Sequence, residues 1–287
     1  MKCTFLKWLP WSGKSHYASS LGVAVFNRDK ARLDFPILKE EDIALLEQTF
    51  MTKNTDKDIC IDNVHMSDKS LSEKIVLARS LWYEIEVVDM FDVICKGIGS
   101  VIAPDLYLTR CLEQNLKRDA VVPESVIYEM YLANYSYYYS EDDKVFICDI
   151  DWTLANLEHR LHFLEWEKKD HGWFYANVWW DSPIQPVIDV INQLTLYNVI
   201  ILVSWRRNQT YRDTKNWLHK YGVKYDYLLM RWGWDRRPDT EVKESIYNKC
   251  LKNLNIVGVF DDRPSVVAKW RKLGLFVFNC QQGNKDF

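Results

Sequence analysis

The chain is short of glycine. Ten glycines in 287 residues are about half of the roughly 20 that average usage near 7% would supply, while tryptophan reaches 13. Excess charge of either sign is also missing. The 37 Lys and Arg against 40 Asp and Glu leave a formal charge of -3, which excludes a cationic coat or a basic arm that grips nucleic acid by charge alone. Any phosphate-binding surface must therefore be local. No uninterrupted apolar run of about 18 residues is available to span a bilayer, and 48% hydrophobic content with 27% charge excludes disorder. The seven cysteines (Cys3, Cys60, Cys95, Cys111, Cys148, Cys250, Cys280) form no C-x-x-C pair, so disulfide frameworks and zinc sites have little support and a reducing cytoplasm fits best. Lys7 interrupts the N-terminal apolar run, and Met1–Trp11 reads as a first strand rather than a leader.

What is present is α/β alternation, which at this length predicts two domains, each with a parallel sheet. In the first half, strands are expected at Cys3–Leu9, Val23–Phe26, Ile59–Ile61 and Ile85–Asp89. Helices are expected at Lys14–Ser20, Leu71–Tyr83, Pro104–Asn115 and Pro123–Asn134. The tyrosine-rich, then acidic segment Asn134–Lys144 has neither period and reads as a connector, placing the boundary near Asp142, with domains at 1–140 and 141–287. In the second half, strands are expected at Val145–Ile150, Val199–Val203, Tyr227–Met230, Ile256–Phe260 and Phe276–Phe278. Helices fall around Gln185–Leu196, Tyr211–Tyr221, Thr240–Leu251 and Ser265–Leu273.

The sharpest motif is KVFICDIDWT, Lys144–Thr153, where an apolar strand runs into Asp149 and Asp151. Open α/β sheets bind ligands at the C-terminal ends of their strands. Two carboxylates there can divide labour, Asp149 attacking phosphorus and holding magnesium while Asp151 carries the proton. The plain alternative is an acidic turn after a strand. Three later features count against that alternative. Ser204 ends an apolar strand and can bond a phosphoryl oxygen, with Arg206 or Arg207 to neutralise charge. Lys243 near a helix start can balance Asp149, although a solvated lysine is the usual case there. Ile256–Asp262 ends in the pair Asp261 and Asp262, as an oxygen-liganded magnesium requires.

In this order the set resembles the haloacid dehalogenase superfamily of phosphotransferases. More narrowly, DDRPSVVAKWRKLG (Asp261–Gly274) and Arg160 resemble the 3′-phosphatase module of bacteriophage polynucleotide kinase/phosphatases. The resemblance implies Arg160 and Arg206 as phosphate-binding arginines and Asp235 as a further site carboxylate. Where that family carries glycine, this chain has Trp152 and Trp205; the second would crowd the phosphoryl site.

The first half holds WLPWSGKS, Trp8–Ser15, between a strand and a helix. Gly13, Lys14 and Ser15 satisfy the end of the phosphate-loop pattern GxxxxGK[ST], but Trp8 stands at its first glycine. In a working loop Lys14 would reach the β- and γ-phosphates and Ser15 would hold magnesium. The alternative is a Gly-Lys-Ser helix start with no nucleotide, because indole-bearing residues at Trp8 and Trp11 tolerate close ligand approach poorly. Asp29, with Arg32 one helical turn on, could take the proton of an attacking hydroxyl, or simply cap a helix. Phosphate loop plus NRDxxR again resembles the 5′-kinase module of the same phage family, and the resemblance implies Arg118 as a lid arginine binding the transferring phosphoryl group. Asp62 is a looser match.

The motifs and the resemblance together imply a P-loop kinase-like domain followed by a haloacid dehalogenase-like (Rossmannoid) domain. Together they would use ATP and Mg2+ to phosphorylate 5′-hydroxyl ends and remove 3′-phosphates from DNA or RNA through an aspartyl-phosphate. Local cations at Lys117, Arg118, Arg206, Arg207, Arg212, Arg231, Arg236 and Arg237 suffice for terminal phosphates. The alternatives are a 3′-phosphatase whose phosphate-loop domain is impaired by Trp8 and Trp11, and a non-catalytic protein stacking tryptophans on bases. The resemblance further implies a homo-oligomer; the lack of a long apolar run argues against a membrane partner, and the reducing compartment would be the host cytoplasm if the chain is phage-encoded.

Overall fold

A computed structural model describes residues 1–7, 9, 13–63, 68–98, 104–117, 122–135, 142–165, 170–233 and 235–280. The chain forms two compact units, Met1–Val122 and Pro123–Phe287.

In the first unit, β1 (Lys2–Lys7), β2 (Ala24–Asn27), β3 (Ile59–Asp62) and β4 (Glu84–Asp89) form a parallel sheet in the order β2-β3-β1-β4. Alternate side chains of the central strands enter two different cores. Cys3, Phe5, Ile59 and Ile61 pack with Met51 and Tyr83 on one face, while Leu6 and Cys60 pack with Ala18 and Met90 on the other. A parallel sheet covered on both faces reads as a near-continuous apolar run, which is how β1 and β3 were recognisable. Helices cover it at Lys14–Ser20, Arg28–Asp34, Glu40–Lys53, Asp68–Ser80, Met90–Ile98 and Pro104–Leu116. The second, third and fifth were not expected from the sequence. The helix expected to run to Tyr83 stops at Ser80, because Trp82 adopts a left-handed φ of 68°.

In the second unit, β5 (Val145–Cys148) leads into a small antiparallel ribbon of β6 (Ala155–Asn156) and β7 (Ser182–Pro183), with the segment between them inserted beside the main sheet. Then follow β8 (Val199–Arg207), β9 (Tyr227–Arg231), β10 (Ile256–Asp261) and β11 (Val277–Asn279), giving a parallel sheet in the order β11-β10-β5-β8-β9. Helices at Gln185–Leu194, Tyr211–Lys220, Asp239–Ile246 and Pro264–Lys272 link the strands. The helix expected over Thr240–Leu251 turns π-helical from Tyr247.

The two compact units divide at Val122, whereas the sequence places the boundary near Asp142. Helix Glu124–Tyr135 lies against β9 and the π-helical turn, with Tyr128 edge-on to Tyr227 and Tyr131 stacked on it, ring centroids 5.6 and 6.2 Å apart. Its apolar residues are thus buried by the second sheet. Among the described residues no helix is long and apolar enough to cross a membrane.

Candidate active site

In the second sheet the chain leaves β5 toward β8 on one side and returns to β10 on the other, so the β5/β10 edge is the switch point where open α/β sheets bind ligands. Cys148 pairs with Phe260 across it, and the Asp149 N–H donates to the Phe260 carbonyl at 2.9 Å. This register sets Asp149 beside Asp261. Ligand oxygens of Asp149, Asp261 and Asp262 lie within 4.8 Å of one another.

Lys243, on the helix that begins at Asp239, sends its ammonium into this group. Its Nζ is 2.9 Å from Asp261 Oδ2, 3.2 Å from Asp149 Oδ1 and 3.5 Å from Asp239 Oδ2. Trp270 Nε1 donates to Asp261 Oδ2 at 3.0 Å, and Thr153 Oγ1 donates to Asp262 Oδ1 at 3.3 Å. Buried Asp149 Oδ1 accepts no hydrogen bond. Four carboxylates face one ammonium and the Arg263 guanidinium, 3.8 Å from Asp239, so the surplus negative charge matches one divalent cation with hard oxygen ligands. Burial raises the Asp149 carboxyl well above its usual range, with Asp261, Asp239 and Asp262 adding to the rise and Lys243 opposing it. Burial alone would lower Lys243, but Asp149, Asp239 and Asp261 hold it above an ordinary ammonium. Burial and Asp261 push Asp262 up to about 7.

A second buried cluster adjoins the first. Arg206 donates to Asp151 Oδ1 from Nε at 2.8 Å and Nη2 at 2.6 Å, and from Nη2 to Asp181 Oδ2 at 2.7 Å. Arg160 donates to Asp181 through Nε at 2.7 Å and Nη2 at 2.9 Å, and to Asp151 Oδ1 at 3.3 Å. Burial would raise Asp151, but Arg206 and Arg160 overcome it and hold the carboxyl below its usual value. Its Oδ2 accepts no hydrogen bond. A recess of about 110 Å³ is lined by Asp149, Asp151, Asp239 and Asp262, by Trp152, Trp205 and Phe174, and by Arg263. Trp152 stands in its turn with φ 62°, its N–H donating to the Ala155 carbonyl at 2.7 Å.

The fold therefore brings Asp149, Asp151, Arg160, Arg206, Lys243, Asp261 and Asp262 together. Ser204 is buried within β8, which continues to Arg207 rather than ending at the serine, and its Oγ accepts from the Arg206 N–H at 3.2 Å. Two expected residues lie apart from the carboxylates around Lys243. Asp235 does not join the group: it pairs with Arg237 at 2.7 Å and lines a separate cleft with Trp232 and Lys249. Asp239 holds the position beside Lys243 instead, because four helical residues put both on one face. Asp151, named with Asp149, Asp261 and Asp262 as an expected metal ligand, is outside that group of ligand oxygens, its Oδ1 being held by Arg206 and Arg160. Asp181 was not expected from the sequence, where nothing local ties it to Arg160 and Arg206.

In the first unit the switch point lies between β1 and β3. Gly13 precedes helix Lys14–Ser20 with φ 92°, and Lys14 is buried. Ser15 Oγ donates to Asp62 Oδ2 at 2.9 Å, and Asn27 Nδ2 donates to the same carboxylate at 2.5 Å. Arg32 pairs with Asp29 at 2.5 Å, but also grips Glu40 through Nε at 2.7 Å and Nη2 at 3.0 Å. Trp8, Trp11 and Arg118 lie outside the described residues.

With this geometry in place, comparison with known proteins is informative. Residues 143–285 match the phosphatase domain of polynucleotide kinase PNKP. The PNKP-type match falls wholly within the second unit. Over 96% of its length the chain is 28% identical to a protein of Autographa californica nuclear polyhedrosis virus named as a bifunctional polynucleotide kinase/RNA ligase. It spans 42% of that relative's length. A solved chain of a Pnkp1/Rnl/Hen1 RNA repair complex is 23% identical, with a TM-score of 0.44, over 99% of this chain and 97% of that one. A haloacid dehalogenase-like hydrolase from Streptococcus pneumoniae aligns over 49% of this chain and 85% of its own, at 10% identity and a TM-score of 0.37.

Proposed function

We propose that the second unit is a hydrolase that removes the terminal phosphate from 3′-phosphorylated nucleic acid. The observation that carries this is the buried Asp149 at the switch point, beside Asp261, Asp262 and Lys243. Asp149 attacks phosphorus, the bond from phosphorus to the sugar 3′-oxygen breaks, and that oxygen takes a proton from Asp151. Asp151 is held ionised by Arg206 and Arg160. It takes that proton up from solvent once the entering phosphoryl oxygens draw the guanidiniums to themselves. In the second step Asp151 removes a proton from water, the water oxygen attacks phosphorus, and the aspartyl bond breaks to release phosphate and restore Asp149. Asp149, Asp261 and Asp262 would hold Mg2+, which when bound neutralises charge between the carboxylate and the phosphoryl group. Lys243 balances the remaining negative charge.

The first unit is assigned ATP-dependent phosphorylation of a 5′-hydroxyl. Lys14 reaches the phosphates, Ser15 and Asp62 serve the cation, Asp29 takes the hydroxyl proton, and Arg32 and Arg118 hold phosphate. The Ser15–Asp62 hydrogen bond at the switch point supports this assignment, as does the name of the viral relative. The two activities together would convert broken ends into ends that a ligase can join. Phosphate release from a 3′-phosphorylated oligonucleotide, lost in Asp149→Asn, tests the first activity. Transfer of label from ATP to a 5′-hydroxyl oligonucleotide tests the second, and no transfer at any magnesium concentration refutes it.

A further inference from the structure

The shortage of glycine has a structural counterpart. Among the described residues the non-glycine positions with positive φ are Trp82, at 68°, and Trp152, at 62°. A side chain at such φ is crowded by its own backbone, and tryptophan has none of the compact polar groups that let Asn or Asp tolerate it.

The Trp82 turn can be compared with two others in the same molecule. At the end of helix Tyr211–Lys220, the Gly222 N–H donates to the His219 carbonyl at 3.1 Å and the Val223 N–H to Leu218 at 2.9 Å. At the end of helix Pro264–Lys272, the Gly274 N–H donates to Arg271 at 3.0 Å and the Leu275 N–H to Trp270 at 3.1 Å. At the end of helix Asp68–Ser80, the Trp82 N–H donates to Arg79 at 3.0 Å and the Tyr83 N–H to Ala78 at 3.1 Å. The three are the same left-handed helix stop, with φ of 63°, 84° and 68°, and this stop favours glycine because it lacks Cβ. The Trp82 indole compensates for nothing, being 89% exposed.

Trp217 and Trp270 are a different kind. Both are buried within helices and donate their indole N–H, to the Asp181 carbonyl at 2.7 Å and to Asp261 Oδ2 at 3.0 Å. Trp8 stands at the first glycine of GxxxxGK[ST], and Trp205 fills part of the aspartate recess.

We infer that Trp8, Trp11, Trp82, Trp152 and Trp205 are glycine positions. One codon is decoded there as glycine where the protein is made, and UGA, whose meaning differs between genetic codes, is the codon that fits. The exchange moves glycine from 10 toward 15 and tryptophan from 13 toward 8, which brings both closer to average usage. It also completes the phosphate loop and enlarges the recess. The consequence for activity rests on the proposed function; the assignment of the turns does not.

Peptide mass spectra of the protein from its source are expected to read glycine at 82 and 152, and tryptophan at either overturns the inference. With the full chain, Trp82→Gly is expected to raise the melting temperature while Trp270→Gly lowers it, and a lower melting temperature for Trp82→Gly also overturns it. Replacing all five by glycine is expected to raise label transfer from ATP at least tenfold. If the turns behave as expected and transfer does not rise, the kinase assignment fails while the glycine assignment stands.

Discussion

Asp181→Asn isolates what the buried arginine cluster contributes. Asp181 and Asp151 are fully or almost fully buried, as are Arg160 and Arg206, so the four charges balance in a dry site. Removing the Asp181 charge leaves two guanidiniums facing one carboxylate and weakens three bonds of 2.7 to 2.9 Å. Breaking a buried pair in this way costs about 3–5 kcal/mol, against ~0.2–1 kcal/mol for an exposed pair. Lys215, half-exposed and 2.8 Å from Glu124, supplies the exposed comparison. Tryptophan fluorescence follows the second unit, which carries 10 of the 13 tryptophans. Burial raises the Asp181 carboxyl above its usual range, with Arg206 and Arg160 opposing the rise, so the measurement belongs at alkaline pH, which favours the ionised form. The expected drop in urea midpoint is on the order of 1–2 M for Asp181→Asn, and a small fraction of that for Lys215→Ala. Equal drops would refute the description of this cluster as a buried charge balance.

Two further outcomes follow from the same geometry. Asp239→Asn is expected to lower phosphate release at least tenfold by removing a charge held against Lys243, whereas Asp235→Asn changes it less than twofold; steady-state rates on a 3′-phosphorylated oligonucleotide decide between them. The Asp262 pKa, raised from 3.8 to about 7, means that the folded chain without a cation binds more protons than the unfolded chain between those values. The contribution of Asp262 to stability without magnesium therefore falls as pH rises from about 4 to about 7. Magnesium requires the ionised carboxylate, so its affinity, measured by calorimetry, rises over pH 6 to 8; an affinity flat with pH would contradict the assignment.

Much of the phosphatase site was legible because its residues end apolar strands: Val145–Cys148 into Asp149, and Ile256–Phe260 into Asp261. A buried parallel strand announces itself by an apolar run, and its polar end is where ligands bind. Asp239 was legible in principle, four residues before Lys243 on one helix face. Asp181 lies 30 residues beyond Asp151 in an inserted segment, and no local period connects it to Arg160 and Arg206. Only the fold brings those charges together. In the first half, Arg28–Asp34 and Glu40–Lys53 were hidden because their charged, weakly amphipathic sequences lack a clear apolar stripe.

The most direct test of the central claim is covalent trapping. A 3′-[32P]phosphorylated oligonucleotide, mixed with the full chain and magnesium and quenched in acid, should leave label on a peptide containing Asp149. The label should be released by hydroxylamine and absent from Asp149→Asn. Phosphate release with no protein-bound label, or undiminished release by Asp149→Asn, would contradict the account.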